Sequence, residues 1–231
     1  MKKITLLFTF LIGIGLTLSA QETPLRLGVQ VSPTFSWMSS NQNTITGNGT
    51  NTGLNIGLTA EYFFGQNYAI TSGISFMMNQ GGTLQYETGG NLFPDSELSD
   101  PTFNNLPNGI NIQYKLQYIE IPLSIRLQTE EIGYLRYFAQ IPYFSIGFPI
   151  QGRADFSSGV TSADENILPD VTSLALTWGL GAGAEYAVSE SASLIGGIYF
   201  DSSILDMVED NDVEDAKQIM NRITLRLGVL F

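Results

Sequence analysis

Apolar and polar side chains alternate with period two along most of this sequence. From residue 25 to 37 the odd positions are Leu25, Leu27, Val29, Val31, Pro33, Phe35 and Trp37, and the even ones are Arg26, Gly28, Gln30, Ser32, Thr34 and Ser36. Successive residues of a strand point to opposite faces, so this spacing predicts a β-strand with one apolar and one polar face. The pattern returns in Leu54, Ile56, Leu58, Ala60, Tyr62 and Phe64 against Asn55, Gly57, Thr59 and Glu61. It returns again in Ile70, Ile74, Phe76 and Met78 against Ala69, Thr71, Gly73 and Ser75.

A fourth strand, from about 110 to 128, changes phase midway: Ile112, Tyr114 and Leu116 are even, whereas Ile119, Ile121, Leu123, Ile125 and Leu127 are odd. If one face is to stay apolar, an extra residue must enter the strand, which predicts a β-bulge near Tyr118. The fifth strand, about 134 to 150, slips in the same way around Pro142, a residue that sheets tolerate chiefly at edges and bulges. The sixth, about 172 to 188, sets Leu174, Leu176, Trp178, Leu180 and Tyr186 against Gly179, Gly181, Gly183 and Glu185. Glycines on a polar face that points inward leave room for large side chains from the opposite wall. The seventh, about 193 to 205, carries Leu194, Ile198, Phe200 and Ile204 on one face, and the eighth sets Ile223, Leu225, Leu227, Val229 and Phe231 against Arg222, Thr224, Arg226 and Gly228.

The connections alternate in length. Those near 65–67, 129–133 and 189–191 are short, and those at about 39–51, 81–110, 154–170 and 206–218 are long and polar. Short turns and both chain ends on one rim, with long loops on the other, predict an all-β fold: an eight-stranded antiparallel transmembrane β-barrel with up-and-down meander topology. A soluble lipocalin-like barrel shows the same alternation with its apolar face turned inward. Charge separates the two. The polar faces collect Arg26, Glu61, Lys115, Glu120, Arg126, Arg136, Glu185, Asp201, Arg222 and Arg226 among Gly, Ser and Thr, while the apolar faces carry scarcely any charge. A water-facing surface does not sustain that much contiguous apolar area, so the apolar face is assigned to lipid and the ten charged residues to an interlocked lumen network. Trp37, Tyr62, Phe64, Trp178, Tyr186 and Phe231 fall toward strand ends, where interfacial aromatic girdles form.

Composition narrows the function. Charged residues make up 14% of the 231 residues, against roughly 25% in ordinary soluble domains. There is no Cys and no His, which removes disulfides, thiolate metal sites, cysteine nucleophiles and the common catalytic bases. No phosphate loop, dinucleotide fingerprint or EF-hand pattern occurs, so neither catalytic residue nor cofactor nor metal ligand is assigned. A formal charge of −12 argues against nucleic acid, which demands clustered Lys and Arg. Interiors of eight-stranded barrels are about filled by side chains, so a wide pore is not expected.

Met1-Lys2-Lys3, the uncharged stretch from Ile4 to Leu18, and Leu18-Ser19-Ala20 before Gln21 have the layout of a secretory signal peptide. That stretch is shorter than the roughly 20 residues a membrane-spanning helix needs. The expected organisation is a signal peptide at 1–20 and a barrel domain at 21–231, with the termini periplasmic.

The signal peptide, the stretch Tyr118-Ile119-Glu120-Ile121-Pro122-Leu123, the Gly-rich strand from Trp178 to Tyr186 and the terminal segment from Ile223 to Phe231 together resemble the outer-membrane β-barrel family common in Bacteroidota, described as PorT-like or porin-like. The resemblance spans essentially the whole mature chain. It implies location in the cell outer membrane and recognition of Ile223, Leu225, Leu227, Val229 and Phe231 by barrel-assembly machinery, and it implies no reaction.

The last long loop holds Asp206, Glu209, Asp210, Asp212, Glu214 and Asp215; Glu87, Asp95, Glu97 and Asp100 lie in the second, and Asp155, Asp164, Glu165 and Asp170 in the third. The run lacks the glycine and spacing of a formed calcium loop and reads as a solvated acidic surface. The sequence thus predicts a non-enzymatic outer-membrane protein whose partners are lipid, the assembly machinery and an envelope protein at the loops. The alternative of a different class is a narrow channel or transport component.

Overall fold

The computed structural model describes residues 25–208 and 216–231. Among them run β1 (Leu25–Ser40), β2 (Ile45–Gly65), β3 (Tyr68–Tyr86), β4 (Ile110–Gln128), β5 (Leu135–Ser157), β6 (Ser162–Asn166), β7 (Ala175–Ala187), β8 (Ser193–Ser203) and β9 (Gln218–Leu230). All neighbours pair antiparallel, and the ring β1-β2-β3-β4-β5-β7-β8-β9 closes on itself through β1 and β9. Eight strands therefore form the barrel, and β6 folds back on the far end of β5. Closure leaves the barrel strands no free edge in the ring.

Side chains alternate across the wall as the period-two pattern requires. Leu27, Val29 and Val31 of β1, Ile56 and Leu58 of β2, Ile70 and Ile74 of β3, Ile121, Leu123 and Ile125 of β4, and Leu225 and Leu227 of β9 are all exposed on the outer face. They form a continuous apolar belt. Aromatic pairs edge it: Phe64 with Tyr68 and Tyr134 with Tyr186, each at 6.1 Å, lie at the short-turn rim, and Trp37 pairs with Phe200 at 6.4 Å toward the loop side.

The phase change in β4 has another cause than the expected bulge. Ile110, Ile112, Tyr114, Leu116, Tyr118, Glu120, Ser124 and Arg126 are all buried, so the even positions face inward without interruption. What reverses is the meaning of the faces. Toward the short turns the interior is polar and the exterior apolar; toward the loops the interior is apolar and the outer positions are Asn111, Gln113, Lys115 and Gln117. The bulges sit in the neighbouring strands: in β3 between Met77 and Gln80, where Asn79 takes φ 55°, and in β5 opposite the Gln117–Tyr118 step. The slip expected around Pro142 is present as a register shift between Gln140 and Tyr143.

The same polarity reversal shortens the loops that the sequence suggests. The first long connection, expected over 39–51, is a turn at 41–44, because β1 and β2 continue beyond the belt. β3 likewise extends to Tyr86 and β5 to Ser157. Their inner faces meet the segments 87–109, 158–174 and 204–208 in one apolar core that includes Met38, Leu84, Phe93, Leu106, Ile112, Phe156, Ile167, Val171, Met207 and Met220. Phe93 stacks on Phe156 at 5.7 Å in its centre. This core caps the barrel at the loop end.

Candidate functional site

Nearest the short turns, strands from opposite sides of the ring place charges in contact. Arg126 of β4 is fully buried; its Nη1 donates to Glu61 Oε1 of β2 at 2.7 Å and its Nη2 to Glu185 of β7. Its guanidinium lies 4.4 Å over the ring of Phe138. Glu185 also accepts from Arg26 Nη2 at 2.8 Å and faces Arg136 Nη1 at 3.6 Å. Arg136, at the rim, pairs with Glu131 at 2.7 Å. Burying these ions is costly alone, and the mutual bonds offset that cost only while every partner stays in place.

A second layer lies deeper. Arg222 of β9 bridges Glu120 of β4 and Asp201 of β8, each at 2.9 Å, and Ser145 of β5 bonds both Glu120 and Thr177. Between the layers Arg226 donates to Gln140 Oε1, Tyr199 OH and Thr59 Oγ1, each at 3.0 Å. The glycines of β7 make the room: a Cβ on Gly181 would stand 2.2 Å from the Tyr199 ring, and one on Gly183 would stand 2.6 Å from Phe138. A void of about 20 Å³ beside Arg222, Arg226 and Tyr143 has room for about one water.

Above this layer the lumen becomes apolar, with Tyr86, Tyr114 and Gln218 joined by hydroxyl bonds inside the cap. Two carboxylates of the 158–174 segment clamp the chain at Asp95–Ser99. Asp170 accepts from Asp95 N at 3.0 Å and from Ser96 Oγ; Glu165 accepts from Ser99 N at 2.9 Å and from the hydroxyls of Ser99 and Ser162. Burial raises the Asp170 pKa above the usual carboxylate range. At Glu165 burial acts in the same direction, but the bonds from Ser162 and Ser99 outweigh it and leave the pKa lowered.

Of the ten charged residues assigned to the lumen, Glu61, Glu120, Arg126, Glu185, Asp201, Arg222 and Arg226 are buried there in contact with one another or with neutral partners, and Arg26 and Arg136 join at the rim. Lys115 does not. It lies on the outer face between the buried Tyr114 and Leu116 and pairs with Asp155, because it falls in the part of β4 where the polar face is the outer one. Sequence reasoning missed Gln140, Tyr199, Ser145, Thr177 and Thr59 as network members; all occupy inward positions, but nothing in a single strand shows which neutral residues meet a charge across the lumen. Ile223, Leu225, Leu227 and Val229 lie on the outer phase of β9, and Phe231 is exposed just past its end. Asp206 accepts from Gln218 N at 2.9 Å, while the acidic positions 209–215 lie outside the described residues. Among the described residues no cluster of three or more carboxylates has a metal-holding arrangement.

The sequence model for the family described as "Outer membrane protein beta-barrel domain" matches residues 19–209. Solved structures similar in fold include Neisserial surface protein A, 14% identical over 88% of this chain and 95% of that one with a TM-score of 0.43. The attachment invasion locus protein of Yersinia pestis is 11% identical over 90% and 99%, with a TM-score of 0.40. A major outer membrane protein of Thermus thermophilus is 16% identical over 90% and 98%, with a TM-score of 0.43. No curated protein matches the sequence.

Proposed function

The chain belongs to the outer membrane protein β-barrel domain family, and from that premise we propose that it is a closed, non-enzymatic barrel whose capped loop end is an interaction surface for another envelope protein. The observation that carries this reading is the filling of the lumen from end to end. Among the described residues two layers of bonded charge are followed by an apolar core, which leaves no wide passage for solutes, and Glu87, Asp95, Glu97, Asp100 and Asp164 are exposed on the loop segments above the belt. The lack of His and Cys supports a role without chemistry.

In this reading residues 1–20 direct export, the termini and short turns are periplasmic, and the loop end faces the exterior. The outward row of β9 with Phe231 is what assembly machinery recognises. The Tyr118–Leu123 stretch supports a place among the PorT-like barrels of Bacteroidota.

Purified protein in planar bilayers is expected to show little or no steady conductance, and affinity capture from native membranes is expected to retain an envelope protein that is lost when the 87–109 segment is replaced by a short turn. Stable open channels would replace this reading with the narrow channel. Labelling of intact cells is expected to reach Asp95 but not Asn67.

A further inference from the structure

From Leu25 onward the basic residues are Arg26, Lys115, Arg126, Arg136, Arg153, Lys217, Arg222 and Arg226. Five of these are lumen groups, and two of the remaining three, Lys115 and Arg153, are direct register partners on β4 and β5. Both face outward, and they stand just beyond the apolar belt. On β4 the outer positions run Ile121, Ile119, Gln117, Lys115, and on β5 Phe148, Ile150, Gln151, Arg153. Gln117 and Gln151 are also register partners, so a pair of amides separates the belt from a pair of cations. On its other side Lys115 neighbours Gly81, which has no side chain to cover it.

Like charges directly opposite on a sheet are destabilising, and the fold compensates them from above. Lys115 pairs with Asp155, and Arg153 Nε lies 3.9 Å from Asp164 Oδ1 while its Nη1 donates to the Asp164 carbonyl at 2.9 Å. Both acids stand farther from the belt than the cations. Partly exposed ion pairs of this kind are weak, so they leave the cations able to bind a second anion from below. Lys115 is four residues beyond Ile119, about 13 Å along the strand at 3.3 Å per residue. With a strand tilt of about 40° that is about 10 Å of height, a distance over which long Lys and Arg stems reach back to a headgroup layer.

We propose that Lys115 and Arg153, with Gln117 and Gln151 beneath them, bind the phosphate of a membrane-lipid headgroup. Two cations supply the charge, and the two amides supply donors for the headgroup's remaining oxygens. The site rests on the belt being membrane-facing, not on which end of the barrel faces outward. It also places positive charge between an acidic loop surface and an anionic lipid layer that would otherwise repel each other.

The full-length protein is reconstituted in nanodiscs of phosphatidylcholine containing a minor fraction of phosphatidic acid, and lipid retained after detergent transfer is counted by native mass spectrometry. Both leaflets are present, so the result is independent of the barrel's orientation in cells. Wild type is expected to retain phosphatidic acid over phosphatidylcholine, and K115Q/R153Q to lose about thirtyfold in that preference, about 2 kcal/mol at 1.4 kcal/mol per tenfold. K217Q is expected to behave as wild type. Asp155→Asn, which frees Lys115, is expected to raise retention; a purely structural ion pair would instead make it fall with the double variant. Equal retention by wild type and K115Q/R153Q, a fall in Asp155→Asn, or displacement of the lipid by millimolar inorganic phosphate would overturn the proposal, the last by making the site one for soluble anions.

Discussion

Arg126→Met tests whether the lumen is held by interdependent charges. Arg126 has no exposed surface, and its two carboxylate partners differ in what they keep when it is removed. Glu185 retains Arg26 at 2.8 Å and Arg136 at 3.6 Å. Glu61 is also without exposed surface; its Oε1 bond is to Arg126, and its Oε2 has no hydrogen-bond partner. Methionine fills much of the arginine stem's volume over Phe138, so little of the loss is packing. The cost is therefore that of a buried carboxylate stripped of its hydrogen-bonded cation, about 3–5 kcal/mol. Adding Glu61→Gln removes the charge but leaves an amide short of partners, at about 1–3 kcal/mol, so the double variant should recover about 2 kcal/mol. Urea unfolding in lipid vesicles, followed through the fluorescence of Trp37 and Trp178, measures both. The reasoning fails if Arg126→Met costs less than about 1 kcal/mol, the value of an exposed pair, or if the double variant is no more stable than the single one.

Leu225→Arg puts a charge in the outer belt and should cost about 2–4 kcal/mol in vesicles, and less in detergent, which deforms around a charge. Thr224→Arg crowds the lumen beside Arg222 and Arg226, so its penalty should be the same in both media; comparison of the two unfolding series checks this. Deleting Phe231, exposed just past the end of β9, should slow insertion as read by heat-modifiable gel mobility, whereas Asp212→Asn should not. Because the Glu165 pKa is lowered in the fold, its contribution to the loop clamp is present above the unfolded value and lost as pH falls through the folded one. The protection factor against hydrogen exchange at Ser99, taken relative to the intrinsic rate at each pH, should therefore fall in acid and in Glu165→Gln, while Asp170→Asn, at a position where burial already raises the pKa, should be milder. Gly181→Ala drives a methyl into the Tyr199 ring and should destabilise by about 1–3 kcal/mol, measured by the same urea titration.

Alternation, loop asymmetry and charge placement carried the barrel, its strand number and nine of the ten lumen charges, because each depends only on which face a residue occupies, and a period of two makes that readable from a few neighbouring positions. The Arg126–Glu61–Glu185 contact was not readable, since its two bonded pairs lie 65 and 59 residues apart and meet across the ring only once strand stagger is fixed. The same holds for the Asp170 and Glu165 clamps, which reach from the turn after β6 and from β6 itself to irregular backbone at 95–99. Lys115 shows the limit of pattern reading most directly. A strand that leaves the apolar belt reverses which face is apolar while its geometry runs on unchanged. In the sequence that reversal is indistinguishable from a bulge. Only closure of the barrel, with the loop segments packed against the inner faces of Ile112, Tyr114 and Leu116, decides that the apolar row there points inward and Lys115 points out, because burial beside a second surface, and not alternation, determines which side of a strand is shielded from solvent.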